Sequence, residues 1–516
     1  MAFSRAIAII GGWTAVSRLT GLLREVLIAR FLGASATADA FFVAFRFPNL
    51  FRSLFAEGAF NAAFVPAFAR KMEGEGKDAA LDFAEKCYSV LFWILLVFVA
   101  LMEMGMPWAM LVLAPGFEDV PGKMELAVEL SRITFPYLLF ISLVSLQSGV
   151  LNSMGRFAAA AGTPVLLNVV SVSFLVGLSP YVETPGHAIS WGVAAAGLAQ
   201  FLWLAHSTKK IGFALKIRRP RLTPEVVDML KRVGPGALGA GAYQVNLAVN
   251  TVIASFVSNG AVSYLNYAER VNQLPLGVVG VAIGTALLPL LSRQLRSGDE
   301  KAAAESQNRA IELGFLLVLP SAAALMTIAA PVISVVFERG SFLAGDSLIV
   351  ADVLRILIAG LPAYVLVKTL TPGFFARGDT ATPMRLAVIC MLVNVALNLA
   401  LMKPFGVCGM AASTAVAAWL NVILLAAALR ARGCLAIDGR LKSRTIRILS
   451  SSVAMAACLY GLMVVLSPYF KVEGLRIAAL FVLVAGGVLA YSAAVLVFGA
   501  ASIGEFKAML ARAPKA

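Results

Sequence analysis

Five arginines lie where an apolar chain can least easily carry them. Arg18 and Arg24 fall in one long apolar run, Arg46 and Arg52 in the next, and Arg270 in a third. A charged side chain at the centre of a bilayer costs about 2.5 to 3.5 kcal/mol even on the lenient insertion scale, so these groups are expected to line something wet. Arginine rather than lysine suits bidentate capture of phosphate or carboxylate, and several together suit a substrate with more than one negative charge. Four acids, Glu25, Asp39, Glu57 and Glu269, are interleaved with them and leave a small net positive excess.

The elements that must position these groups are helices. In the second run Asp39, Arg46 and Ser53 recur every seven residues, with Asn49, Arg52 and Glu57 on or beside the same stripe, so one helix face is polar along most of its length. Pro48 frees a backbone carbonyl there, which is tolerated where it meets water or a side chain. On the first helix Ser17 and Arg24 share a line, with Arg18 and Glu25 on the adjacent one; on the third, Ser263, Asn266, Glu269 and Arg270 occupy about two turns. The plainer alternative is that the charges staple helices, Arg46 with Asp39, Arg52 with Glu57 and Arg270 with Glu269 or a neighbour. Buried ion pairs seldom improve on apolar packing, so their number on adjoining helices argues for a site.

Composition sets the solvent. Hydrophobic side chains make up 60% of the 516 residues and charged ones only 14%, with a mean hydropathy of +0.86. Such a chain is expected to be an all-α integral membrane protein. The net charge of +15 sits in short clusters between apolar runs, a topology signal rather than a nucleic-acid footprint, and no nucleic-acid partner is expected. Reading those runs gives about fourteen transmembrane helices. With both termini in the cytoplasm, roughly 28 Lys and Arg fall inside and about 5 outside, which fixes the expected orientation. Membrane lipids are expected neighbours, and anionic headgroups are one reading of the basic loops; simple positive-inside anchoring is the other.

Internal repetition divides the chain. Pro66-Ala67-Phe68-Ala69-Arg70 recurs as Pro289-Leu290-Leu291-Ser292-Arg293, Phe135-Pro136-Tyr137-Leu138 as Leu361-Pro362-Ala363-Tyr364, and Gly155-Arg156 before Thr163-Pro164 as Arg377-Gly378 before Thr382-Pro383. Offsets of about 219 to 226 residues describe two parallel repeats of six helices each. The expected parts are a first six-helix lobe over residues 1–206, a basic cytoplasmic linker over 207–227, a second lobe over 228–428, and a basic loop with two further helices over 429–516. Thr223-Pro224-Glu225 carries the N-cap, first-turn proline and acid of a helix start.

Other chemistries find little support. Cys87, Cys390, Cys408, Cys434 and Cys458 form no CxxC pair, and His187 and His206 belong to no metal-binding spacing, so no catalytic residue and no metal site are expected. Asn246 and Asn250, Asn394 and Asn398, and Thr414 offer oxygens to a sodium ion, but no carboxylate joins them, and interhelical hydrogen bonding is the plainer reading. An enzyme acting on polyprenyl phosphates would need acids placed for metal or base chemistry, and no DDxxD-like run exists.

At Ser17-Arg18, Arg24-Glu25-Val26, the run from Ala38-Asp39-Ala40 to Phe47-Pro48-Asn49-Leu50, and Phe55-Ala56-Glu57-Gly58-Ala59-Phe60, the chain resembles the MurJ (MviN) family of lipid II flippases. The likeness continues at Phe64-Val65-Pro66, Ala114-Pro115-Gly116-Phe117, Ile133-Thr134-Phe135-Pro136-Tyr137 and Tyr267-Ala268-Glu269-Arg270. The resemblance implies the multidrug/oligosaccharidyl-lipid/polysaccharide exporter fold, with two six-helix lobes around a central cavity and two C-terminal helices forming a lipid-tail groove. It implies a flippase, not an enzyme, that moves undecaprenyl-pyrophosphate-linked peptidoglycan precursor across the inner membrane for cell-wall synthesis. Arg18, Arg24, Arg52 and Arg270 match the family's cavity arginines, with Ser17, Glu25, Asp39, Arg46, Asn49, Glu57, Ser263 and Glu269 in supporting or gating positions. No cofactor is implied. Coupling to a monovalent cation or chloride stays open, with Asn398 standing where some members are thought to use aspartate. A monomer is expected, with the peptidoglycan synthesis machinery as a candidate partner; export of another polyprenyl-linked glycan is the alternative activity.

Overall fold

The computed structural model describes the backbone of residues 2–55, 59–472 and 474–500, and side chains within 9–52, 63–231, 244–277, 287–472 and 474–500. Its regular structure is helical throughout the described residues. The chain folds as two compact units, one ending at Ser263 and the other beginning at Tyr264.

The first unit contains α1 (Ala2–Leu32), α2 (Ala36–Phe55), α3 (Ala59–Gly74), α4 (Lys77–Leu113), α5 (Lys123–Thr134), α6 (Tyr137–Ser153), α7 (Phe157–Leu178), α8 (Pro185–Lys210) and α9 (Pro224–Ser255), with 3-10 turns at Pro115–Asp119 and Ser179–Tyr181. Helix α10 (Ala261–Arg296) begins at its end. The second unit continues through α11 (Glu300–Phe337), α12 (Ala344–Ala359), α13 (Leu361–Phe375), α14 (Ala381–Ala431), α15 (Gly439–Phe470) and α16 (Arg476–Val497). Nine helical stretches among the described residues are long and apolar enough to cross a membrane, which makes this a multi-pass membrane protein.

Two features show how local sequence shapes the spans. As a straight helix, the 51 residues of α14 would be about 77 Å long, far beyond a bilayer of about 30 Å. Gly406 breaks it, at φ 55° and ψ −134°, a conformation open only to glycine. The chain doubles back so tightly that a Cβ on Gly409 would lie 2.3 Å from the carbonyl oxygen of Leu401. The expected apolar runs 384–402 and 408–428 therefore flank a hairpin. Conversely, α5 with α6 and α12 with α13 each form one stretch bent where Pro136 and Pro362 interrupt the hydrogen-bond ladder.

Those paired bends carry the repeat into three dimensions. Two helix ends repeat as well: α6 closes at Gly155 (φ 70°) with Arg156 N–H bonded to Leu151 O, and α13 closes at Gly378 (φ 77°) with Asp379 N–H bonded to Phe374 O. The ends of α8 and α14 match in the same way, through Gly212 and Gly433, about 221 residues apart.

The basic segment between α8 and α9 is a strap rather than a loose tether. From Gly212 to Leu222 it is non-helical and lies along α4: Ser89 Oγ donates to Lys216 O (3.4 Å) and accepts from Arg218 N–H (2.9 Å), Lys216 N–H donates to Glu85, and the Trp93 indole donates to Arg218 O. The Arg218 guanidinium pairs with the buried Glu85 carboxylate. Phe213 is fully buried against Phe68, and Lys71 pairs with Glu225 at 2.8 Å just beyond the strap. Helix α9 starts at Pro224 with Thr223 as N-cap, as its sequence predicts, although the Thr223 hydroxyl makes no capping bond.

In the second unit Ile328, Met455, Leu459 and Leu483 bury one apolar seam joining α11 to α15 and α16. At the start of α15, Arg309, Arg440 and Arg444 converge on the buried Glu312 of α11.

Candidate functional site

The arginines of the first unit occupy different environments. Arg18 is exposed on α1, and Ser17 beside it gives its carbonyl to Asn168 of α7. One and a half turns on, Arg24 is 8% exposed. Its Nη2 donates to the buried carboxylate of Glu25 at 2.9 Å and its guanidinium lies 5.4 Å from the centroid of the Phe45 ring, while the buried Nε has no acceptor among the described residues. A buried guanidinium N–H without an acceptor is costly, so a group with oxygens to offer would be held tightly there.

On α2, Arg46 donates to Thr251 Oγ1 of α9 at 2.7 Å, and Arg52 Nε donates to Asn49 Oδ1 at 2.9 Å. Asn49 is in turn held by the Phe45 carbonyl. The expected pairing of Arg46 with Asp39 is not what forms. Residues seven apart on a helix are separated by about 10.5 Å along its axis, too far for an ion pair even though they share a face. Glu57, and with it the suggested Arg52–Glu57 pair, lies outside the described residues, as does the Ser53 side chain.

Asp39 is instead fully buried at the centre of a polar cluster. Its Oδ2 accepts from Lys123 Nζ (2.8 Å) and Gly260 N–H (2.7 Å), and its Oδ1 accepts from Ser263 N–H (2.9 Å) and Ser263 Oγ (2.6 Å). Lys123, 2% exposed, also donates to Asn259 Oδ1 at 2.8 Å and sits 4.2 Å from the Phe117 ring centroid. The carboxylate thus caps the start of α10, where unpaired N–H groups and the helix dipole favour an anion, and its remaining charge is met by an ammonium. Close packing continues beside it. The Gly116 N–H donates to Ser255 Oγ, and a Cβ on Gly116 would fall 2.4 Å from Ser255 O.

Lys123 is the buried charge in this cluster that the sequence does not single out. It sits at a helix start after Gly122, where a basic residue reads as an ordinary loop charge. The signal that could have singled it out is Phe117-Glu118-Asp119 six to four residues earlier: an aromatic and acids around one lysine in a short turn.

In the second unit Glu269 and Arg270 are half-buried on α10, and Glu269 accepts from Gln273 at 3.2 Å. Arg132 donates to the Glu103 carbonyl, Lys86 pairs with Asp82 and Arg355 with Asp352, so these basic residues have local partners. Among the sodium candidates, Asn250 Nδ2 donates to Asn246 Oδ1 (2.9 Å) in the first unit and Asn398 Nδ2 to Asn394 Oδ1 (3.3 Å) in the second. The Thr414 hydroxyl donates to Met410 O. Each is the local bond expected of a polar residue inside a helix.

The family model of lipid II flippase MurJ matches residues 28–485. The chain belongs to the MurJ family. A probable lipid II flippase MurJ of Rhizobium meliloti is 45% identical over 464 residues, covering 89% of this chain and 86% of the relative. The lipid II flippase MurJ of Burkholderia cenocepacia is 39% identical over 433 residues, covering 83% and 84%. Among solved structures, a MurJ in its inward closed conformation superposes with a TM-score of 0.78 at 26% identity, covering 98% of this chain and all of the other. An inward-facing multidrug transporter of the MATE family within the MOP superfamily, at TM-score 0.68 and 16% identity over 81% of this chain, shares the fold. The MurJ assignment agrees with the residues that carried the resemblance, and it places the buried arginine and the Asp39 cluster in a transporter.

Proposed function

We propose that this MurJ family member moves lipid II from the inner to the outer leaflet of the cytoplasmic membrane by alternating access, and that Arg18, Arg24, Arg52 and Arg270 take the pyrophosphate. The observation that carries the reading is Arg24. Its guanidinium is buried in an apolar helix with one edge on Glu25 and Nε without an acceptor among the described residues, which suits a ligand rich in anionic oxygens. No bond is made or broken in this cycle, and no cofactor enters it.

In this reading both termini lie in the cytoplasm, residues 1–206 and 228–428 act as the two lobes, and α15 with α16 accompanies the polyprenyl tail. Glu25 holds the Arg24 guanidinium between cargoes. Arg46, Asn49 and Glu269 line or steady the polar path, Ser17 and Glu57 support it, and Asp39 with Ser263 gates it. The protein works as a monomer that hands its cargo to peptidoglycan synthesis. The asparagines and Thr414 are given no coupling ion, because their side chains already bond one another or the helix backbone.

The test is growth of cells depleted of their own flippase. Arg18→Ala, Arg24→Lys and Arg270→Ala should each fail to complement while reaching the membrane at wild-type levels. Full complementation by all three would remove these residues from the substrate site. Accumulation of a different polyprenyl-linked glycan on depletion would redirect the activity.

A further inference from the structure

We propose that Glu129, Glu183 and His187 form a binding site for a divalent transition metal, with zinc as the best match. Glu129 belongs to α5, Glu183 to the turn before α8, and His187 to the first turn of α8. One ligand atom from each lies within 4.8 Å of the other two.

Three observations point to a metal rather than a chance grouping of charges. First, His187 Nε2 lies 3.4 Å from Glu129 Oε2. Two ligands of a tetrahedral zinc, with bonds of about 2.0 to 2.1 Å, are about 3.4 Å apart, whereas the same separation is long for a hydrogen bond. Second, the other ring nitrogen is already engaged: Nδ1 lies 2.9 Å from Thr184 Oγ1. With Nδ1–H donating to that hydroxyl, Nε2 turns its lone pair toward Glu129. In that tautomer the ring is oriented as protein-bound metals hold a histidine, with Nε2 toward Glu129. Third, both carboxylates are exposed while the imidazole is 12% exposed, so the fixed ligand is the nitrogen and the two mobile arms can close on an ion from solvent. An imidazole nitrogen with two carboxylates favours zinc over calcium or magnesium, which prefer all-oxygen sets.

Position adds a consequence. A Cβ on Gly186, beside the site, would fall 2.8 Å from Thr37 Cγ2 of α2 and 3.1 Å from Leu130 of α5. A metal here would tie α8 to α5 against the end of α2 that carries Asp39, on the same α5 that carries Lys123. The proposal therefore stands apart from the arginines and survives if their assignment fails.

The test uses full-length protein in lipid nanodiscs, purified without a polyhistidine tag. Titration with cobalt(II) should give a saturable visible absorption band of tetrahedral intensity that zinc displaces. His187→Ala and Glu129→Gln should each weaken cobalt binding at least tenfold, and Thr184→Val, which touches no metal, should weaken it by 10- to 100-fold. His206→Ala should leave it unchanged. Because Glu129 is exposed, Glu129→Gln folds whatever its effect on the metal, and elution volume on size exclusion checks this. Absence of saturable binding in the wild type, or binding equally strong in the Glu129→Gln/Glu183→Gln/His187→Ala variant, would overturn the proposal.

Discussion

Replacing Lys123 with Met tests whether the Asp39 cluster is an energetic unit. The substitution keeps the side chain's length and apolar contact with Phe117 but leaves a fully buried carboxylate without its counter-charge. Removing one partner of a buried ion pair costs about 3 to 5 kcal/mol. Asp39 retains three donors, the Gly260 and Ser263 amides and the Ser263 hydroxyl, so the low end applies, about 3 kcal/mol or roughly 150-fold in the unfolding equilibrium. Asp39→Asn should cost a similar amount by stranding Lys123 with only Asn259 and the ring. The double variant should fall short of the summed losses by about 1 to 3 kcal/mol, because the second change removes what the first left unpaired. Reversible unfolding in mixed detergent micelles, followed by tryptophan fluorescence, reads all three. Lys86→Met, which breaks a partly exposed pair with Asp82, serves as the control and should stay within about 0.5 kcal/mol. A loss under about 1 kcal/mol for Lys123→Met, or strict additivity in the double variant, would refute the reasoning.

Three further outcomes follow from particular contacts. Gly116→Ala must push a methyl group into the Ser255 carbonyl and should cost about 1 to 3 kcal/mol in the same unfolding assay. Glu85→Gln removes the carboxylate that grips Arg218, so trypsin should cut at Arg218 or Arg221 at least tenfold faster, as read by mass spectrometry of timed digests. Lys71 has its pKa raised by its bonds to Glu225 and Glu75. Its contribution is therefore complete below its ordinary value of about 10.4 and lost as pH climbs through the raised one; the stability gap between wild type and Glu225→Gln should narrow as pH climbs through that alkaline range.

How far the sequence could be read depended on the distance over which each feature acts. Apolar runs, the Thr223-Pro224 helix start, the proline bends at 136 and 362 and the glycine-closed helix ends are local, and all are visible in the chain. The strap was legible only as a basic linker. Its anchoring depends on Glu85 and Ser89, well over a hundred residues away, and acids on an apolar helix do not announce their partners. The Asp39 partner was misread for a related reason. Helical periodicity tells which residues share a face, not which are within reach, and the true partner comes from α5, 84 residues along the chain. In the Glu129, Glu183 and His187 grouping two members are four residues apart, but Glu129 lies 54 residues before the first of them.

The misreading of Asp39 also changes the electrostatics of the arginines. In the sequence, Glu25, Asp39, Glu57 and Glu269 nearly balance five arginines. In the structure Asp39 is met by Lys123 and by the α10 helix start. The pair Asp39–Lys123 carries no net charge, so one acid drops out of the balance while no arginine does. Arg46 is met by the Thr251 hydroxyl, a neutral acceptor that orients a guanidinium without cancelling it, and Arg52 Nε donates to the Asn49 amide oxygen. On α1 the Glu25 carboxylate is in contact with Arg24. The positive excess is thus larger than composition suggests, and in a low-dielectric surrounding each uncancelled charge acts strongly on an anion nearby. A singly charged ligand would leave much of it unmet. A pyrophosphate, with its several anionic oxygens, suits the arginine site proposed above.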